Sequence, residues 1–377
     1  MTAKERMARA MALGVPDRVP VMCQMSIGHM LLQTGLPPSR FWFSSDCFAE
    51  GLLKLRELYS FDGILISLHG HSPDWQEGIT RIQAEAGGET IFWKNGDQTY
   101  FPSDDLPQHF PAKTPRQVSL SEFDPESLPD FIDRIPVSQG LTFALDREHL
   151  FEAFDFIHAR CGADYSIHGE VTSPFDYFLS LFNYSDALIA LLEEPEKSKE
   201  VLERLTGSVI RLALGMTEHH IDALKISSPY AGSGFISPWF YREFVLPYEG
   251  RIAKQVRARG VHVYTHTCGA VNDRLEMMVE TGVSGIECLD PPPLGDVDLE
   301  DAKKRVGGRA FIKGNLDPVN VLLRGTPAAV EREARRLISI GKPGGAYILS
   351  TACSIAPYTP RENVQILGRV AVEDGFY

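Results

Sequence analysis

No stretch of this 377-residue chain is apolar for long enough to span a bilayer. The opening segment interleaves Lys4, Glu5, Arg6 and Arg9 with Ala and Met, so it lacks the unbroken apolar core of an export signal. Basic runs are missing too. With 37 Lys and Arg against 50 Asp and Glu, the net charge of -13 argues against nucleic acid as a partner. Cysteine is scarce: the six thiols, Cys23, Cys47, Cys161, Cys268, Cys288 and Cys353, are too sparse for a disulfide framework. The expected location is therefore a reducing cytoplasm, where cysteine packs in a core or binds metal. A glycine-rich phosphate turn is also absent, since Ser26-Ile27-Gly28-His29-Met30 stands where a doubly wound sheet would carry G-x-G-x-x-G.

What is present is a repeated alternation of short apolar runs with amphipathic stretches. Strands are expected at 18–25, 63–68, 165–169, 223–227, 262–267, 285–289, 310–314 and 346–351. Helices are expected between them, among them 46–59, 147–161, 194–219, 238–258, 327–340 and 360–373. Strands without polar alternation, set between helices, indicate a parallel sheet covered on both faces. Eight of them fit a closed (β/α)8 TIM barrel in one domain over residues 1–377. The rhythm breaks at about 69–146, where Asn95-Gly96 lies between two β-prone arms and Pro- and Asp-rich sequence follows. This reads as an inserted hairpin and loop region after the second strand, a possible lid.

In such barrels chemistry collects at the carboxyl ends of the strands. The fifth expected strand ends in Tyr264-Thr265-His266-Thr267-Cys268-Gly269, which places an imidazole and a thiol one residue apart on one strand face. Cys353 follows the eighth strand and is the best third candidate for a shared zinc ion. The other strand ends carry His69 and His71, Glu170, Ser227 and Ser228, Cys288 and Asp290, and Asn315 and Asp317. Glu170 is a candidate fourth ligand or proton acceptor, and Asp317 a second catalytic carboxylate. Asn315 and Asp290 are candidates for holding substrate.

Several motifs together resemble the uroporphyrinogen decarboxylase superfamily. They are Pro16-Asp17-Arg18-Val19-Pro20-Val21, Phe235-Ile236-Ser237-Pro238 with Leu246-Pro247-Tyr248, His266-Thr267-Cys268-Gly269, Gly314-Asn315-Leu316-Asp317-Pro318, and Tyr358-Thr359-Pro360-Arg361-Glu362-Asn363. Within that superfamily the chain is more similar to the zinc-dependent, cobalamin-linked methyltransferases of the methylcobamide:coenzyme M type. The resemblance implies a β/α barrel and zinc bound by His266, Cys268 and Cys353. It also implies methyl transfer between a corrinoid (methylcobalamin or a corrinoid protein) and a thiol or related acceptor.

The chain departs from the family at three places. The arginine-bearing motif that holds porphyrinogen carboxylates is missing from Met22-Cys23-Gln24-Met25-Ser26-Ile27-Gly28-His29, which argues against porphyrinogen decarboxylation. Ser227-Ser228-Pro229-Tyr230 stands where relatives often carry an aspartate pair. Asp155-Phe156-Ile157-His158 lacks the spacing of a cobalt-ligand motif, so any corrinoid would arrive free or on a separate protein. The rival readings are a zinc hydrolase or lyase and a non-catalytic corrinoid-binding protein. Two thiolates already cancel the charge of Zn²⁺, which favours an electron-rich bound sulfur over an activated water.

Overall fold

The computed structural model describes residues 1–113, 118–137 and 140–377. Among these, seven parallel strands form one curled sheet in chain order. They are β1 (Gly63–Ile66), β2 (Ser166–Thr172), β3 (Ala223–Ser227), β4 (His262–Thr267), β5 (Gly285–Cys288), β6 (Phe311–Leu316) and β7 (Tyr347–Thr351). Nearly every residue in them is buried, as expected of strands covered on one side by helices and on the other by each other.

The expected first strand is not a regular strand. Val21 makes an isolated parallel bridge to Leu349, with Leu349 N–H donating to the Pro20 carbonyl at 2.9 Å and Met22 N–H to the Leu349 carbonyl at 3.1 Å. On its other side the Asp62 N–H donates to the Val21 carbonyl at 2.8 Å, so this stretch spans the gap between β7 and β1 and gives the sheet a TIM-barrel-like closure. Two local causes interrupt the ladder. Pro20 has no N–H to donate, and the Val21 N–H is taken by the Asp62 side chain at 2.8 Å.

The expected helix 238–258 is two helices, Pro238–Phe244 and Leu246–Arg257. Pro247 explains the break, because its missing N–H and its ring would disrupt a continuous helix one turn earlier. Helices Ile27–Thr34, Pro38–Phe43 and Pro174–Leu181 form in stretches that periodicity did not single out. Each is short and starts at a Ser cap or a Pro.

Between β1 and β2 the chain forms an antiparallel sheet of four strands, Ile79–Glu85, Gly88–Trp93, Gln98–Pro102 and Gln108–Phe110, and a pair, Arg134–Pro136 with Thr142–Ala144. Residues 114–117 and 138–139 of the expected insertion lie outside the described residues. Phe43 anchors the four-stranded sheet to the helix Pro38–Phe43, with ring centroids 5.4 Å from Phe101 and 5.7 Å from Trp93. Among the described residues no helix is long and apolar enough to cross a membrane.

Candidate active site

Strand register decides which side chains meet. On β4, His266 sits beside Glu287 of β5, and Glu287 sits beside Lys313 of β6. On the other side Glu170 of β2 is in register with Lys225 of β3. Side chains in register on parallel strands share a face. These groups therefore form a charged layer inside the curled sheet, just below its carboxyl edge.

Above that layer the three soft donors come together. His266 Nε2 lies 3.3 Å from Cys268 Sγ, and Cys268 Sγ lies 3.7 Å from Cys353 Sγ. All three donor atoms fall within 4.8 Å of one another. Strand alternation aims His266 and Cys268 at one point, and the end of β7 delivers Cys353. Gly269, at φ +77°, turns the chain sharply after Cys268, and its N–H donates to Asp290 Oδ2 at 2.7 Å.

The donor set fits zinc. With Zn–S of about 2.3 Å and Zn–N of about 2.0 Å, a tetrahedral ion would hold two thiolates about 3.8 Å apart and a nitrogen and a thiolate about 3.6 Å apart. The observed 3.7 and 3.3 Å are close to both values. Behind the imidazole, His266 Nδ1 lies 2.9 Å from Glu287 Oε2. A carboxylate in that position holds the proton on Nδ1 and leaves the Nε2 lone pair for a metal.

The charges point the same way. Burial and Lys225 oppose a charged His266, but the Cys268 and Cys353 sulfurs outweigh them and raise its pKa well above the usual value. Hydrogen bonds from the Cys268 and Cys288 thiols hold Cys353 well below the ordinary thiol range. Burial, with Cys268 and Cys353 nearby, pushes Cys288 well above it. These shifts favour an imidazolium beside a thiolate, and a metal bound there would displace the imidazolium proton.

Glu287 is 1% exposed, and burial opposes its charge. Even so Lys313 and Lys225 hold its carboxyl well below the usual range. Lys313 bonds Glu287 Oε1 directly, while Lys225 lies 3.5 Å from Oε2. Burial likewise opposes the Lys225 charge, and Glu170 at 3.3 Å together with Glu287 raises its pKa despite complete burial.

The donors open onto a cavity of about 400 Å³. Its walls include Gln24 and Met25 beside the end of β7, Ile135 and Val137 from the region between β1 and β2, and Asp176, Tyr184 and Tyr230 from the segments after β2 and β3. Burial pushes the Asp176 carboxyl up to about 7, against hydrogen bonds from Ser173 and the Tyr230 N–H.

The expected site residues divide into two groups. His266, Cys268, Cys353 and Glu170 line the cavity. Asp290, Asn315 and Asp317 are buried nearby but are not among the lining residues. Asp290 accepts hydrogen bonds from the Gly269 N–H and the Cys288 thiol, at 2.7 and 3.2 Å. Asn315 Nδ2 donates to the Leu289 carbonyl at 2.9 Å. Asp317 caps the turn Pro318–Leu323, accepting from the Val319 and Asn320 N–H groups at 2.8 Å each. His69 and His71 pack against aromatic rings, of Phe154 and of Phe48 and Phe143, and are not among the lining residues either.

Sequence reasoning missed Glu287, Lys225, Lys313, Asp176, Tyr184 and Tyr230. A signal existed for the lysines. Ala223-Leu224-Lys225-Ile226-Ser227 and Phe311-Ile312-Lys313-Gly314 each carry one charge inside an apolar strand, which demands a buried partner.

Residues 127–373 match the family model for uroporphyrinogen decarboxylase (URO-D). The chain is 27% identical over 376 residues to a methylcobamide:CoM methyltransferase of Methanosarcina mazei, covering 97% of this chain and 96% of that one. It is 31% identical over 202 residues to a uroporphyrinogen decarboxylase of Mycobacterium leprae, covering 51% of this chain and 55% of that one. Among solved structures, a methyltransferase from Methanosarcina mazei matches with a TM-score of 0.73 over 99% of both chains at 22% identity, a likeness of fold.

Proposed function

The chain belongs to the uroporphyrinogen decarboxylase family, and from that premise we propose that it is a zinc-dependent methyltransferase moving a methyl group between a corrinoid and a thiol. The observation that carries this reading is the meeting of His266 Nε2, Cys268 Sγ and Cys353 Sγ at tetrahedral spacing on the floor of a cavity. The similarity to methylcobamide:CoM methyltransferases along nearly the whole chain supports the reaction class. When bound, zinc would supply a Lewis acid that lowers the pKa of a coordinated substrate thiol and keeps its sulfur nucleophilic near neutral pH.

The chain's own residues do the rest. Glu287 fixes the His266 ring and its tautomer, and Lys225 and Lys313 counter the carboxylate so that it can stay charged in a buried layer. Glu170 lines the cavity beside Lys225 and would take the proton that a substrate thiol releases. Ile135, Pro136 and Val137 close one wall and limit water. The corrinoid, free or carried on a separate protein, would approach from the open side. No arginine is among the described residues lining the cavity, which speaks against a porphyrinogen with several carboxylates.

The test combines metal analysis of the purified protein with a methylcobalamin demethylation assay across a panel of thiols. The expected result is about one zinc per chain and thiol-dependent loss of the methyl–cobalt absorbance. A protein that binds no zinc, or that leaves methylcobalamin untouched with every thiol, would overturn the reading.

A further inference from the structure

We infer that the substrate facing the zinc donors carries a cationic group, an ammonium or quaternary amine, and no anionic one. This rests on the methyl-transfer reading only for the reaction. The charge class comes from the other side chains that line the cavity.

Apart from His266, Cys268 and Cys353, the acidic residues lining the cavity are Asp105, Glu170 and Asp176, and among the described residues no Lys or Arg lines it. The nearest cation behind the wall, Lys225, is fully buried and already bonded to Gln24, Glu170 and Glu287. Its charge is countered before any ligand enters. Away from the proposed zinc, an anionic group would therefore meet Asp105 and Asp176 with no Lys or Arg among the described lining residues to pair with.

The aromatic lining suits a cation. Tyr184 and Tyr230 both line the cavity, with ring centroids 4.6 Å apart and planes inclined by 44°, and Phe235 braces Tyr230 at 5.0 Å. A cation over the face of either ring, within about 6 Å of its centroid, would be attracted to it. Asp176 lies at the same wall, held by the Ser173 hydroxyl at 2.6 Å and the Tyr230 N–H at 3.4 Å. A cation seated against the rings favours the ionised form of that carboxyl.

One feature at the mouth is of the opposite sign. The helix Ile27–Thr34 presents its first turn there, and such an end attracts anions. Here that end is closed by chain: a Cβ on Gly28 would collide with the Asp104 backbone carbonyl, and Asp105 lines the same cavity. The wall is thus suited to an amine-bearing thiol or methyl donor. Coenzyme M, a thiol that carries a sulfonate, has the disfavoured charge.

Choline and isethionate are matched probes, since both are small hydroxyethyl compounds without a thiol and differ in the sign of their charge. Titration calorimetry on the zinc-loaded protein should show choline binding at least about tenfold more tightly than isethionate. Tyr230→Ala should weaken choline by several-fold and leave isethionate unmoved, and Glu170→Gln should weaken choline while isethionate, with Lys225 less countered, binds no more weakly than before, with circular dichroism confirming the fold. Equal or tighter binding of isethionate would overturn the charge assignment, as would failure of choline to bind. In parallel, methylcobalamin demethylation is compared with cysteamine, 2-mercaptoethanol and 2-mercaptoethanesulfonate. Fastest turnover with the sulfonate also overturns the assignment. Choline binding without turnover of any thiol instead removes the methyl-transfer reading and leaves the charge class standing.

Discussion

Two buried carboxylates in this protein are each flanked by two cations, and they do different things. At the amino-terminal end of the strands, Asp62 accepts from Arg6 at 2.6 Å and from Arg18 at 3.0 Å. Its other oxygen takes the Val21 N–H at 2.8 Å. Near the carboxyl end, Glu287 lies between Lys313 and Lys225, and its second oxygen takes His266 Nδ1 at 2.9 Å. The first carboxylate ends on backbone and ties the helix Ala3–Met11 and the 18–22 stretch to β1. The second ends on the imidazole that would hold the proposed zinc. The same charge arrangement serves closure at one end and ligand orientation at the other, and the group on the remaining oxygen decides which.

The largest expected effect separates site from scaffold outright. Cys268→Ser or Cys353→Ser should abolish zinc retention and reduce methyl transfer to background, while thermal unfolding stays cooperative. Full zinc occupancy in both variants, measured by elemental analysis, would show that these sulfurs are not the donors.

Next comes the direct comparison of the two carboxylates. Asp62→Asn and Glu287→Gln should each destabilise the fold by about 3 kcal/mol, because each leaves buried cations short of their countercharge. Only Glu287→Gln should also weaken zinc affinity, by about 10–100-fold in a chelator competition. Equal zinc affinity in the two variants would mean that Glu287 is as purely structural as Asp62.

Acid should weaken the fold through histidines that the Asp62 cluster does not contain. Burial lowers the pKa of His69 to about 4 and of His71 and His168 to about 3. Unfolded, these rings titrate near 6.5. Between those values the unfolded chain binds protons that the fold refuses, so stability is complete above about pH 6.5 and is lost as pH falls toward 4, by about 1.4 kcal/mol per pH unit for each ring. Urea midpoints measured from pH 7 to 4.5 would give the slope, and His71→Phe should make it shallower. A slope unchanged by that substitution would remove His71 from the account.

The smallest effect concerns Asp317, whose oxygens cap the turn Pro318–Leu323. Asp317→Asn should lower stability by about 1 kcal/mol or less. Methyl transfer assayed well below the unfolding range should keep most of its rate. A lost rate without lost stability would return Asp317 to the acid–base role that its position at a strand end suggested.

Local chemistry made part of this legible from the residues alone. The alternation of apolar runs with amphipathic helices announced a covered parallel sheet, because burial on both faces removes polar alternation. The spacing of His266 and Cys268 announced a shared target, because alternate residues of a strand share a face. Other features depend on contacts between residues far apart in the chain. Whether Cys353 reaches Cys268, 85 positions away, depends on how the sheet curls. That Glu287 backs His266 follows from strand register, which brings together residues 21 positions apart. Asp317 looked catalytic at a strand end and is held in a cap, because its carboxylate lies nearest to backbone N–H groups that its own turn leaves unpaired. The Tyr184 and Tyr230 pair carries no sequence signature, since two tyrosines on separate segments line one cavity only when packing brings them together.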